Sequence, residues 1–235
     1  MEPGLDSTQD PHPGAGFFCS GAWPTNVMSN HDLPRAASRY ARGENDAQAM
    51  IAMALLLTLR GTPFMYYGEE IGMRDIHLRR SKILDPAGKR YWPIYTGRDG
   101  CRSPMQWDDR QYAGFSTVQP WLPINPDAIH RNVAAQQADP NSLFSFTKKL
   151  LRLRRNNSAL QRGNFVPLKT QRGILAYIRI LDDQCVLIAI NFKGQATSFA
   201  LPQGIWHTLF TNKTNPVEGG APLAPYEVRL LMSEK

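Results

Sequence analysis

The sequence of 235 residues has little cysteine: Cys19, Cys101 and Cys185 are odd in number, widely spaced and free of metal-ligand spacing. That excludes a disulfide framework and a zinc site, and leaves buried or idle thiols. It has no apolar run near the roughly 18 residues that cross a bilayer. Its first residues, MEPGLDSTQDPHPGAGFF, also lack the basic-then-apolar order of a signal peptide. A cytoplasmic location and no membrane partner are therefore expected. No internal repeat is visible, and no motif calls for a cofactor or a metal.

Acidic residues are fewer than basic ones, 20 against 27, for a formal charge of +7. Such an excess suits nucleic acid or an anionic surface. The basic residues are scattered, however, and gather only at Arg79, Arg80, Lys82 and at Lys148, Lys149, Arg152, Arg154, Arg155. The second group falls on a helical pattern whose apolar face is Leu143, Phe146, Leu150 and Leu153, so a solvated helix face accounts for it. No nucleic-acid partner is expected.

What is present is an ordinary globular composition, 42% hydrophobic and 20% charged, enough for one good core or two modest ones. Residues 1–22 are rich in Pro, Gly, Asp and Ser and read as an irregular segment. A short strand at Asn26-Val27-Met28 empties into Ser29-Asn30-His31-Asp32. Residues 46–60 follow a helical period, with Asn45 or Asp46 as cap and Gly61 as stop. Pro63-Phe64-Met65-Tyr66-Tyr67 then suits a strand buried on both faces. Strand, helix and strand make a βα unit feeding a parallel neighbour.

Residues 71–140 have many turn formers and little period, which in a compact domain points to function. Residues 141–160 read as one amphipathic helix, capped by Asn141 or Ser142. After Gly163 come short β-like runs at 174–180, 185–192, 197–201, 206–210 and 227–232, the spacing of a small antiparallel sandwich. The expected organisation is thus an irregular segment over 1–22, an α/β part over 23–162 and an all-β domain over 163–235.

His31-Asp32 sits where α/β architectures build their sites, in a loop at the carboxyl end of a strand. Further along, GRDGCRSPMQWDDRQYAGFS combines the rings of Trp107, Tyr112 and Phe115 with the planar groups of Arg98, Asp99, Arg102, Gln106, Asp108 and Asp109. A polyhydroxylated ring needs both kinds of partner, apolar faces for its C–H bonds and paired polar groups for adjacent hydroxyls.

NVMSNHDLPR, GTPFMYYGEEIGM, GRDGCRSPMQWDDRQYAGFS and NSLFSFTKKLLRLRRNNSAL, in that order, resemble the C-terminal part of an α-glucosidase of the α-amylase family, glycoside hydrolase family 13. Oligo-1,6-glucosidase and the exo-acting enzymes that split sucrose or maltose are the nearest in appearance. The resemblance runs from about Trp23 to the end of the chain. It implies the C-terminal portion of a (β/α)8 TIM barrel, strands seven and eight, followed by the family's β-sandwich domain C. It also implies that Asp32 is the carboxylate that stabilises the transition state, that His31 and Arg102 bind glucose hydroxyls, and that Arg35 faces the neighbouring subsite. The implied substrate is an α-glucoside, or a malto- or isomalto-oligosaccharide.

The sequence departs from the family in one chemically decisive respect. A retaining glycosidase needs a carboxylate nucleophile and a carboxylic acid about 5–5.5 Å apart, and the family carries them on the fourth and fifth strands, which have no counterpart here. Glu69 and Glu70, as neighbours in an extended segment, would point to opposite sides and cannot replace them. The resulting expectation is an incomplete barrel, catalytically silent alone, whose open strand edges favour self-association or pairing with the missing N-terminal half. A non-catalytic, carbohydrate-binding relative is the alternative, although such relatives tend to lose the Asn-His-Asp motif. A purely structural sandwich would leave the ordered polar motifs unexplained.

Overall fold

The computed structural model describes residues 22–41, 43, 45–214 and 220–234; the irregular segment expected over 1–22 lies outside them except for Ala22, as does Cys19. Strand β1 (Thr25–Val27) leads through helices α1 (Ala36–Tyr40) and α2 (Asp46–Thr58) to β2 (Thr62–Phe64). β1 and β2 pair in parallel, with Val27 opposite Phe64, so the βα unit read from the sequence is present. Asn45 caps α2 by accepting from the Ala47 amide. Gly61 then turns the chain at φ +131°, where a Cβ would lie 2.6 Å from the Pro24 carbonyl oxygen. Only glycine fits that approach.

The expectation that the second strand is buried on both faces is corrected. β2 has three residues; Phe64 and, just beyond it, Met65 are 56% and 41% exposed. Among the described residues β1 is its one strand neighbour, so nothing covers the face that Phe64 shares with Val27.

Residues 71–140 hold α3 (Pro86–Tyr91), α4 (Val133–Ala138) and several single 3₁₀ turns, where the sequence shows no clear period. Side chains pin these pieces down. Arg131 donates to Asp46 at 2.9 Å and Gln136 to the Ile71 carbonyl at 2.8 Å. Gln106 donates to the Arg131 carbonyl at 2.6 Å, so it serves the scaffold.

The helix expected over 141–160 is two helices, α5 (Leu143–Arg155) and α6 (Ser158–Arg162), because Asn157 leaves the helical conformation and caps α6 by accepting from the Leu160 amide. Ser142 caps α5 through the Ser145 amide. Leu143, Phe146 and Leu150 are buried, as the apolar stripe requires. The basic face is only partly solvated. Arg154 turns inward and donates to the carbonyls of Leu57, Leu160 and Gly61 at 2.7, 2.7 and 2.9 Å.

Among the described residues five antiparallel strands follow: β3 (Asn164–Pro167), β4 (Ile174–Leu181), β5 (Gln184–Asn191), β6 (Trp206–Thr211) and β7 (Val228–Ser233), in the spatial order β3-β4-β5-β7-β6. β3 has no counterpart among the expected runs, and the run at 197–201 contributes one bridge, Thr197 to Leu223, in place of a strand. Alternation sorts the two faces. Tyr177, Val186, Ile188, Ile190, Val228 and Leu230 join α2, α5 and α6 in one core. Ala176, Leu187, Ala189 and Leu231 pack under Leu223, Phe199, Leu201 and Trp206. The second layer of the domain, among the described residues, is therefore bridged loop segments. No described helix is long and apolar enough to cross a membrane.

Candidate functional site

The loop after β1 is shaped by Asn30. Its side-chain oxygen accepts from the amides of Asp32 and Leu33 at 2.8 and 3.0 Å, a turn that lifts His31 and Asp32 to the tip. Their side chains are 69% and 48% exposed. One residue upstream, the Ser29 hydroxyl donates to Glu69, whose other oxygen accepts from the Tyr66 amide at 2.9 Å. Glu69 thus ties the ends of β1 and β2 together.

The segment of Glu69 and Glu70 is a 3₁₀ turn between Gly68 and Gly72, both left-handed, rather than extended chain. Burial pushes both carboxyls above their ordinary range, opposed at Glu69 by the hydrogen bonds from Ser29 and Tyr66. Glu69 is committed to the scaffold.

Asp32 is met by two arginines from the 3₁₀ turn at Asp99–Arg102 and the residue before it. Arg98 and Arg102 donate to the same Asp32 oxygen, Oδ1, at 3.0 and 3.1 Å. Arg102 also donates through Nε to the His31 carbonyl at 2.8 Å. The His31 imidazole lies 3.4 Å from Asp32 Oδ2. Desolvation raises the Asp32 carboxyl, but the Arg98 hydrogen bond and the charges of His31, Arg98 and Arg102 outweigh it and hold the group below its ordinary value. It is an anion at neutral pH.

Arg98 is itself anchored. Its backbone amide and Nε both donate to Asp85 Oδ2, at 2.9 and 3.0 Å. Asp85 is buried, caps α3 and is held down to about 2, chiefly by the Arg98 hydrogen bond. Buried Asp99 accepts from the amides of Leu84 and Asp85 at 2.6 and 2.8 Å, which fixes the loop that presents Asp85. Sequence reasoning singles out Arg102 and leaves Arg98 among the general polar groups. The signal for Arg98 is its four-residue spacing from Arg102, and for Asp85 the Asp-Pro start of a helix.

The structure brings His31, Asp32 and Arg102 together and places Arg35 elsewhere. Arg35 is fully buried below the loop. It donates to the Tyr67 carbonyl at 2.7 Å, and its guanidinium carbon lies 5.1 and 4.6 Å from the ring centres of Tyr66 and Tyr67. Its backbone amide is held by Asp75 at 3.0 Å. Arg35 therefore braces the segments that follow both strands. Of the aromatic residues in the long loop, Trp107 and Phe115 are about half exposed, and Tyr112 is held at φ +55°. Asp108 is taken by Arg110 at 2.6 Å. Among the described residues no three His, Cys, Asp or Glu side chains are grouped to hold a metal ion. Cys101 is buried and Cys185 half-buried, and both are free thiols.

A carboxylate flanked by two guanidiniums and an imidazole, at the open end of a parallel strand pair, can accept from and donate to adjacent hydroxyls of one ring. Comparison with known proteins gives the family. Residues 16–163 match the family described as alpha amylase, catalytic domain, and residues 164–230 the maltogenic amylase C-terminal domain. A probable alpha-glucosidase of Rhizobium meliloti is 35% identical over 213 residues, covering 88% of this chain and 37% of the relative. The oligo-1,6-glucosidase of Bacillus cereus is 34% identical over 236 residues, covering 87% and 42%. The trehalulose synthase of Pseudomonas mesoacidophila superposes with a TM-score of 0.80 at 30% identity, covering 90% and 43%. The chain spans about two-fifths of the length of these proteins. With its Asn-His-Asp turn, its parallel strand pair and its antiparallel C-terminal sheet, the chain belongs to the α-amylase family.

Proposed function

We propose that this chain supplies the C-terminal part of a retaining α-glucosidase site acting on α-linked glucosides, malto- and isomalto-oligosaccharides included. Asp32 is the transition-state-stabilising carboxylate; His31 and Arg102, joined by Arg98, orient the glucose ring, and Arg35 braces them from below. The observation that carries the reading is Asp32 itself: ionised, half exposed and fixed between two guanidiniums. An oxocarbenium-like transition state gains positive charge at the ring, so a fixed anion beside the ring hydroxyls favours it over the neutral substrate.

Glu69 is buried and bound to the Ser29 hydroxyl and the Tyr66 amide, and Glu70 is half-buried in the same 3₁₀ turn. The nucleophile and the acid come from the share of the relatives' length that this chain does not span, and the chain alone is silent. The test mixes the chain, with and without a polypeptide carrying the remaining barrel of a relative, with a chromogenic α-glucoside. Turnover is expected in the mixture only, and lost with Asp32→Ala. Turnover by the chain alone, abolished by the same substitution, overturns the silence. Maltose or isomaltose binding in calorimetry, lost with Arg102→Ala but never accompanied by turnover, gives the non-catalytic reading in its place.

A further inference from the structure

The basic group Arg79, Arg80 and Lys82 is used by neither the site nor the scaffold, whereas the other arginines of residues 71–140 are committed. Arg98, Arg102, Arg110 and Arg131 pair with carboxylates, Arg74 donates to the Ala41 carbonyl at 3.1 Å, and Arg90 lies over the Tyr91 ring. Arg79, Arg80 and Lys82 are exposed and, among the described residues, their side chains make no ion pair and no hydrogen bond. Arg80–Lys82 is a 3₁₀ turn begun at Arg79, with the Lys82 amide donating to the Arg79 carbonyl at 2.8 Å. Side chains three apart eclipse in such a turn, so Arg79 stands over Lys82 and both charges fall on one side.

Lys82 lines a cleft of about 400 Å³ whose other wall is Tyr112 and the segment 119–124. That is the size of a small-ligand site. Leu122 is fully buried and anchors the segment, while Trp121 beside it is 72% exposed, an indole left bare in the cleft. Gln119 adds an amide and Tyr112 a hydroxyl. Tyr112 and Ala113 are both left-handed, at φ +55° and +56°, a conformation that bulky side chains rarely adopt. The Trp107 and Asp108 amides hold this turn by donating to the Ala113 carbonyl at 2.9 and 3.2 Å. Strain of this kind persists where the surroundings over-determine it, and it gathers at ligand sites.

We propose that this cleft binds a pyranose that carries an anionic group, phosphate or carboxylate, with the ring against Trp121 and the anion between Arg79 and Lys82. The C–H face of a sugar suits an exposed indole, and Gln119 and Tyr112 can serve its hydroxyls. Two adjacent cations without a partner gain charge-assisted hydrogen bonds only from an anion. The cleft is lined by none of His31, Asp32, Arg98 or Arg102, yet it is tied to them. Leu84, two residues after Lys82, is held through its amide by Asp99, the neighbour of Arg98. The choice of a sugar over another ring rests on the α-glucosidase reading above; the anion rests on the cations alone.

Isothermal calorimetry on the full chain tests this with glucose 6-phosphate, glucuronate, maltose, orthophosphate and adenosine monophosphate. Glucose 6-phosphate is expected to bind one to one, at least about tenfold tighter than maltose, orthophosphate or the nucleotide. Lys82→Glu and Trp121→Ala, both at exposed positions, should each weaken it at least about tenfold. Arg155→Glu, the same change of charge on the exposed face of α5, should leave it unchanged, as should Asp32→Ala. Glucuronate bound as tightly makes a uronic acid the source of the anion, and its failure makes a sugar phosphate the source; both support the proposal. Absence of binding overturns it, as do maltose, orthophosphate or the nucleotide binding as tightly as the sugar phosphate, or Lys82→Glu and Trp121→Ala binding undiminished. Binding lost with Asp32→Ala and kept by the cleft variants moves the ligand to the Asp32 turn and also overturns it. Cleft-dependent binding by a chain whose mixture with the remaining barrel never turns over an α-glucoside supports the proposal and overturns the functional reading alone.

Discussion

Arg98 stands between two carboxylates of opposite character: Asp32, half exposed at the mouth, and Asp85, buried at the start of α3. The buried one fixes the arginine, and the fixed arginine then holds the exposed one ionised. The folded carboxyl of Asp85 lies at about 2, below its ordinary value of 3.8. Such a group stabilises the fold fully above the ordinary value and loses that contribution as pH falls through the folded one. Asp85→Asn should therefore melt below the unsubstituted protein at about pH 6, and the gap should close as pH falls from 3.8 to about 2. Thermal melts across that window check it; a gap independent of pH would mean that Asp85 is not the ionised partner of Arg98. At this scale the sequence is legible where the chemistry is local. Asn30-His31-Asp32 forms a turn whose members depend on one another within three residues. Arg98 meeting Asp32 across 66 positions is invisible without the fold.

Among the elements, α2 was the most legible and its far end the least. Its cap, its period and its stop at Gly61 are all written within 17 residues. The partners of its last carbonyls come from far along the chain. Arg154 reaches Leu57 and Gly61, and Arg179 of β4 donates to Thr58 at 2.6 Å and to Gly163 at 2.9 Å. Burial, with Arg154 alongside, lowers Arg179 to about 10, so both guanidiniums remain charged at neutral pH against the negative end of the helix. Charge counting alone assigned Arg154 to a solvated face. Arg154→Met should cost about 2–4 kcal/mol in urea unfolding, since it strips charge-assisted bonds from partly buried carbonyls. Arg155→Met, one residue on and exposed, should stay within about 0.5 kcal/mol. Equal losses would show that Arg154 does no more than solvate. The break at Asn157 was masked for a related reason. Leu153 and Leu160 sit a helical multiple apart, so the apolar period continues across a residue that has turned away to cap the next helix.

At the scale of the molecule, the change of pattern after Gly163, from period 3.6 to period 2, reads as a boundary between two domains, and the chain does change architecture there. What periodicity cannot carry is which faces meet. Leu150 of α5 is fully buried in the same core as Ile188 and Leu230 of the sheet, so helices and sheet each lack a complete interior without the other. Tyr177 of β4 and Thr58 of α2 share a buried hydroxyl contact at 2.6 Å across the same junction. Two parts joined this way should unfold as one. Leu150→Ala, with a loss of about 2–5 kcal/mol, should lower the urea midpoint seen by helical circular dichroism and that seen by fluorescence of Trp206, on the sheet's far face, by the same amount. To isolate Trp206, the fluorescence arm uses a background in which the other four tryptophans are phenylalanine. If the dichroism midpoint moved while the Trp206 midpoint stayed, the sheet would be an independent folding unit and the shared core only a contact. Coincident movement means that the sheet, far from the His31-Asp32 loop, sets the stability of the helix whose two flanking strands present Asp32 and Glu69.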